Sequence, residues 1–331
     1  MKKTIVVFMV CALFLMVLSS CGQDRNDPGN NLDIPEGLIA VGFSQVGAES
    51  DWRLANTRSM TDAFSEENGY FLVLRDAQQR LENQLAAIRE FISLGVDYIV
   101  FAPVTEAGWD DVLKEAKDAG IPVIIVDRMI NTSDETLFTC WVGSDFRAEG
   151  DIAAEWMETT FKDKSDLKIV HLQGTLGSSA QIGRTEGLQA GVDRNPGWEI
   201  ISQVSGEFNQ VRGKEVMEPI LKQHSRIDVL YAENDDMAFG AMEAMDVARW
   251  TYGVGGDVTI ISFDATRAGL EATLEGRINF NVECNPLHGP RVEAIITQLK
   301  RGETPDKFIF VEETAFDALT ITQEDIDARA Y

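Results

Sequence analysis

From residue 38 onward, short apolar and β-branched runs alternate with longer stretches whose apolar positions recur every three or four residues. The short runs predict strands at 38–43, 70–74, 98–102, 123–126 and 138–142. A second series follows at 168–172, 200–204, 229–232, 258–263 and 278–282. The longer stretches predict amphipathic helices, among them 79–94, 109–119, 146–161, 211–223 and 237–250. Several strands, such as VIIV at 123–126, are apolar throughout, as expected where helices cover both faces of a sheet. Strand and helix in alternation imply parallel sheets with right-handed crossovers. The chain has 331 residues, more than one hydrophobic core usually organises. Two series of about five strands therefore predict an α/β protein of two doubly wound parallel-sheet lobes.

The first 21 residues follow a different pattern. Lys2 and Lys3 precede an apolar run at 5–18, long enough for a signal peptide and short of the ~20 residues that span a bilayer. The run ends in LSSC at 18–21, which resembles the lipobox of bacterial lipoproteins. In that reading Cys21 is lipidated and anchors an extracytoplasmic protein to a membrane, several acyl chains giving a lasting hold. The alternative is an ordinary cleaved signal with an incidental cysteine. Residues 22–36 carry almost nothing to bury and read as a flexible tether.

Charge then narrows the partners. The formal net charge is −25, and removing the signal with its two lysines takes it to about −27 (−25 − 2). So acidic a surface repels phosphate backbones, which excludes a nucleic-acid partner. Beyond the signal two cysteines remain, Cys140 and Cys284; export permits a disulfide between them, and two buried free thiols are the alternative. No Cys/His spacing indicates zinc, and no GxSxG, HExxH, EF-hand or GxGxxG motif occurs. Neither a cofactor nor a metal is expected.

Polar residues collect where the predicted strands stop, the place where open α/β sheets hold ligands. The first strand runs into Ser44, Gln45, Glu49, Trp52 and Arg53; the fourth into Asp127 and Arg128. Later strands end in Asn234-Asp235-Asp236, in Asp264 and in Glu283. Carboxylates accept from hydroxyls, guanidinium and amide groups donate, and an indole covers the apolar face of a sugar ring. Such a set suits a polyhydroxylated, uncharged ligand. Each member also has a plainer reading. Asp127-Arg128 alone is a surface ion pair, Trp52 alone is core, and one of 234–236, Asp236 by preference, caps the next helix. Paired acids such as Asp127 and Asp264 would also serve an exported glycoside hydrolase.

The run VGFSQVGAESDWR at 41–53 resembles the type I periplasmic sugar-binding proteins of bacterial ABC importers, in particular their galactofuranose-binding branch. So do ENQ at 82–84, AP at 102–103, VLKEAK at 112–117, IPV at 121–123 and DR at 127–128. LQGT at 172–175, GKEVM at 213–217, NDDM at 234–237 and ISFD at 261–264 continue the likeness. It extends from residue 38 to about 320. The resemblance implies a non-enzymatic, monomeric receptor that closes on a monosaccharide and presents it to a membrane permease. A receptor feeding a sensor or chemoreceptor is the neighbouring alternative. It implies ligand contacts at Asp127, Arg128, Arg184, Asn234 and Asp264, with Glu283 and the first-loop residues marking the galactofuranose type. Asp51 departs from the pattern, where a glycine is expected. The resemblance further implies three chain crossings, near Ser144, Glu283 and Glu313. The lobes would then be 37–144 with 284–312, and 145–283 with 313–331.

Overall fold

A computed structural model describes residues 34–331; the signal, Cys21 and the tether up to residue 33 lie outside the described residues. The first lobe is built from β1 (Ile39–Gln45), α1 (Asp51–Ala63), β2 (Tyr70–Asp76), α2 (Leu81–Leu94), β3 (Tyr98–Phe101), α3 (Asp110–Asp118), β4 (Val123–Val126) and β5 (Cys140–Gly143). The chain then enters the second lobe. There α4 (Phe146–Thr160), β6 (Leu167–Gln173), α5 (Ser179–Arg194), β7 (Trp198–Ser205), α6 (Gln210–Gln223) and β8 (Val229–Ala232) are followed by α7 (Asp235–Ala248), β9 (Thr259–Asp264), α8 (Arg267–Leu274) and β10 (Phe280–Glu283). It returns for α9 (Gly289–Lys300) and β11 (Phe308–Phe310), and ends in the second lobe with β12 (Ala315–Asp317) and α10 (Gln323–Asp327).

Each lobe holds one six-stranded sheet. The first has the order β11-β5-β4-β3-β1-β2 and the second β12-β10-β9-β8-β6-β7. The pairings are parallel except that of β10 with β12. The α/β class and the two parallel sheets agree with the sequence. β4 and β8 are buried along their whole length, which is why their sequences carry no alternation. The sixth strand of each sheet was not predicted. β11 and β12 have three residues each, lie at sheet edges and are nowhere fully buried, so their sequences show no buried run.

Three passages of chain between the lobes lie side by side. Ser144 Oγ donates to Glu313 Oε1 at 2.7 Å, and the Asn285 N–H donates to the same oxygen at 2.6 Å. The Glu283 N–H donates to Thr314 O at 2.8 Å. Each passage is thus bonded to another.

The approach of α4 to α5 places the charged residues described below. α5 presents Gly183, Gly187 and Gly191 at four-residue spacing to α4. A β-carbon on Gly187 would lie 2.3 Å from the carbonyl carbon of Gly150, and one on Gly183 would lie 2.7 Å from that of Phe146. Only helices without side chains along this seam approach so closely. The seam brings Glu149 of α4 beside Arg184 of α5.

Candidate ligand-binding site

Both sheets reverse their winding at a switch point, between β1 and β3 and between β6 and β8. Ligands of such sheets lie beyond the carboxyl ends of the strands at that point. There side chains of both lobes line one small cavity of about 20 Å³, far below the roughly 300–1,000 Å³ usual for small-molecule sites.

The first lobe contributes a buried ion cluster. Ser50 caps α1 by accepting from the Arg53 N–H, which starts the helix just after Glu49 and turns Trp52 and Arg53 inward. Arg53 Nη2 lies 2.8 Å from Asp127 Oδ2, its Nε donates to Glu49 Oε1 at 3.0 Å, and its Nη1 donates to Gln45 Oε1 at 3.2 Å. Burial works against the Arg53 charge, but Asp127 and Glu49 outweigh it and raise the guanidinium above its ordinary range. Arg128 is less well matched. Its Nη1 donates to Val104 O at 3.2 Å, and Glu49 is 3.8 Å from its Nη2. Burial, followed by repulsion from Arg53, lowers Arg128 to about 10. The ion pair of Arg53 with Asp127 is out of line for a hydrogen bond, and Asp127 Oδ2 and Glu49 Oε2 are both buried without a donor. Both oxygens belong to residues that line the cavity, and each can accept a further hydrogen bond.

The second lobe answers with Arg184. Its Nε donates to Glu149 Oε2 at 2.6 Å, its Nη1 to Glu233 O, and its Nη2 lies 3.7 Å from Asp264 Oδ1. The guanidinium carbon sits 4.8 Å from the Phe263 ring centre and 5.5 Å from that of Phe146, a placement favourable to a cation. Burial raises the Asp264 carboxyl well above its ordinary range despite Arg184, which favours a protonated, hydrogen-bond-donating form. Behind Arg184, the facing atoms of Glu149, Cys284 and Glu313 lie within 4.8 Å of one another. Burial and then Glu149 push Glu313 up to about 9, so this pair of acids holds a proton at neutral pH.

Three backbones are held in the left-handed region here: Asp127 at φ +61°, Phe208 at +58° and Asp264 at +97°. Such conformations cost free energy in non-glycine residues and cluster where side chains must be aimed. They turn the two acids and the Phe208 ring into the cavity, where Phe208 lies 5.2 Å from the Arg128 guanidinium.

Of the residues predicted from sequence, Glu49, Trp52, Arg53, Asp127, Arg128, Arg184, Asn234 and Asp264 line this one cavity. Trp52 satisfies both of its readings. It is 4% exposed and packs in a core cluster, yet its ring borders the cavity and its Nε1 donates to Cys284 O at 2.6 Å. Ser44 and Gln45 stand behind the lining; Gln45 supports Arg53 and donates to Asn56 Oδ1 at 2.8 Å. Glu283 is not among the lining residues. Its carboxylate accepts from Arg329 Nη1 and from the Tyr331 hydroxyl at 2.9 Å, away from the cavity, while the next residue, Cys284, faces inward.

Other expectations are corrected or decided. The cap of α7 is Asn234, whose Oδ1 accepts from the Met237 N–H at 2.9 Å, rather than Asp236. α8 is capped by Thr266, whose side chain accepts from the Gly269 N–H. Cys140 and Cys284 are both free and buried. Sequence reasoning missed Phe146, Phe208 and Cys284 as lining residues, and Glu149 as the partner of Arg184. Phe208 sits in a loop with no pattern to mark it, while Phe146 and Glu149 follow directly on the end of β5, the one signal available.

Comparison with known proteins adds the family. The model of the periplasmic binding protein domain matches residues 41–288. The galactofuranose-binding protein YtfQ of Escherichia coli (strain K12) is 38% identical over 86% of this chain and 90% of its own length. A crystal structure from Mycobacterium smegmatis in complex with β-D-fucofuranose is 41% identical with a TM-score of 0.82, covering 88% of this chain and 93% of that one. The binding-protein component of the arabinose ABC transporter from Shewanella sp. ANA-3, bound to α- and β-L-arabinofuranose, is 38% identical with a TM-score of 0.81, covering 88% and 96%. These relatives bind their ligands and are not enzymes, which sets aside the glycoside hydrolase reading. With its two sheets, its three passages between lobes and a match over most of its length, the chain belongs to the periplasmic binding protein family.

Proposed function

We propose that this protein is an extracytoplasmic receptor that binds one monosaccharide between its lobes, a furanose hexose of the galactofuranose type being favoured, and presents it to an ABC permease. The observation that carries this reading is the pair of buried carboxylate oxygens with no hydrogen bond of their own, Glu49 Oε2 and Asp127 Oδ2, beside Arg53, Arg128 and an indole and across from Arg184. A neutral polyol supplies hydroxyl donors to such acceptors and accepts from the guanidinium groups without adding charge. The furanose ligands bound in two of the similar structures support the ring form. Binding works by hinge closure: the lobes 37–144 with 284–312 and 145–283 with 313–331 turn about the three passages, and the closed form buries the ligand.

A thermal-shift screen of the purified protein against pentoses and hexoses tests the reading. Sugars that supply a furanose form, such as D-galactose, D-fucose and L-arabinose, are expected to raise the melting temperature, and D-glucose much less. A flat response to every sugar would discard the proposal. We further propose that Cys21 carries the lipid anchor, on the strength of the LSSC run that ends the signal. Cells grown with labelled palmitate are then expected to label the wild type and not Cys21→Ala; an unlabelled wild type would remove the anchor.

A further inference from the structure

The rim of the cleft sets acid against acid. On one side α1 begins at Asp51, whose backbone N–H donates across the cleft to Asp236 Oδ2 of α7 at 3.2 Å. Asp236 is 8% exposed, although it belongs to a helix end that an open cleft would leave in water. On the other side the Glu106 N–H donates across the cleft to Gly177 O at 2.9 Å, and the Glu106 carboxylate faces Glu186 of α5. None of these four acids lines the cavity.

We propose that closing of the lobes takes up protons at this rim, chiefly on Asp236, so that sugar affinity rises as the medium becomes more acidic. The inference rests on the hinge-closing sugar receptor proposed above. Closure removes the Asp236 carboxylate from water and sets Asp51 and Glu49 of the first lobe against it, with Asp235 adding a third negative neighbour from its own helix. The Asp51 N–H and the starts of α1 and α7 favour the charged form, yet burial and then Asp51 outweigh them and raise Asp236 to about 7. On the second side burial and then Glu186 raise Glu106; Arg147, 3.8 Å from Glu186, opposes this in part.

When the lobes part, Asp236 regains water and loses Asp51 and Glu49, so it returns toward the ordinary ~3.9 of an aspartate. The sign follows directly. The closed form binds the proton more tightly, so its added stability is absent well above pH 7 and grows as the pH falls through 7 toward the open-state value. Between pH 8 and pH 6 the apparent association constant is expected to rise about tenfold.

The experiment is a calorimetric titration of the protein with D-galactose, D-fucose and L-arabinose at pH 6, 7 and 8. Each pH uses two buffers of different ionisation enthalpy, so that proton uptake is read directly. The wild type is expected to take up about half a proton per sugar bound near pH 7. Asp236→Asn is expected to bind sugar with that uptake and the pH slope lost, and Asp51→Asn, at an exposed position, to show a reduced uptake. Sugar binding with no proton uptake in the wild type, or with unchanged uptake in both variants, overturns the inference and leaves the sugar reading intact. Absence of any binding heat instead sinks the sugar reading. In that event the radius of gyration of ligand-free protein from X-ray scattering decides the rim: it is expected to be smaller at pH 5.5 than at pH 8 in the wild type and not in Asp236→Asn, and equal radii in the wild type overturn the proposal.

Discussion

Asp127→Asn is expected to weaken sugar binding by at least about a hundredfold while the protein stays folded. The size follows from removing one charge of a buried ion pair at the site, which costs about 2–5 kcal/mol or more in binding. Asp127 does two things that an amide cannot do together. Its carboxylate balances the buried Arg53 guanidinium at 2.8 Å, and its Oδ2 stands ready for a hydroxyl donor. Asparagine is the apt replacement because it tolerates the left-handed backbone at φ +61° and has nearly the same volume. Alanine there would add backbone strain to the loss of charge. Fold is checked by near-ultraviolet circular dichroism and affinity by calorimetry against the best sugar of the screen. An unchanged dissociation constant in a folded Asp127→Asn would remove this residue from the site.

Gly187→Val is expected to give the largest loss of stability, about 3 kcal/mol or more, because the clash is with backbone and not with a side chain that can turn away. The β-carbon alone would lie 2.3 Å from the Gly150 carbonyl carbon, and the two methyl groups beyond it need further room. Relief requires α4 and α5 to separate. That separation would draw Glu149 from Arg184, which are joined at 2.6 Å, and so reach the cavity without touching a lining residue. Chemical denaturation measures the effect. Stability within about 0.5 kcal/mol of the wild type would mean that the seam is far more compliant than protein interiors are.

Much of the site was legible because of where strands end. A doubly wound sheet delivers the residue after each strand to one edge, so Asp127, Arg128, Asn234 and Asp264 could be collected from the hydrophobic pattern alone. Glu283 shows the limit of that rule. At the end of β10 the two-residue alternation gives way to a passage between lobes, and which of Glu283 and Cys284 faces the cavity depends on how that passage bends. Here Arg329 and Tyr331, from the end of the chain, hold Glu283 outward. Phe208 escaped for a related reason, since its position depends on two successive left-handed residues, Glu207 and Phe208. α5 escaped because its packing face is made of glycines, which leave little hydrophobic periodicity to detect.

By itself, then, the sequence determined the two parallel sheets, the placement of polar residues at strand ends and the acidity of both lobes. These depend on periodicity and composition, which each segment carries locally. The tertiary structure alone decided which acids pair with which arginines, which acceptors are left without donors, and that Asp51 meets Asp236 across the cleft. Those are distances between residues far apart in the chain, set when the glycine seam packs α4 against α5 within the second lobe and three bonded crossings hold the two lobes together, and no local pattern encodes them.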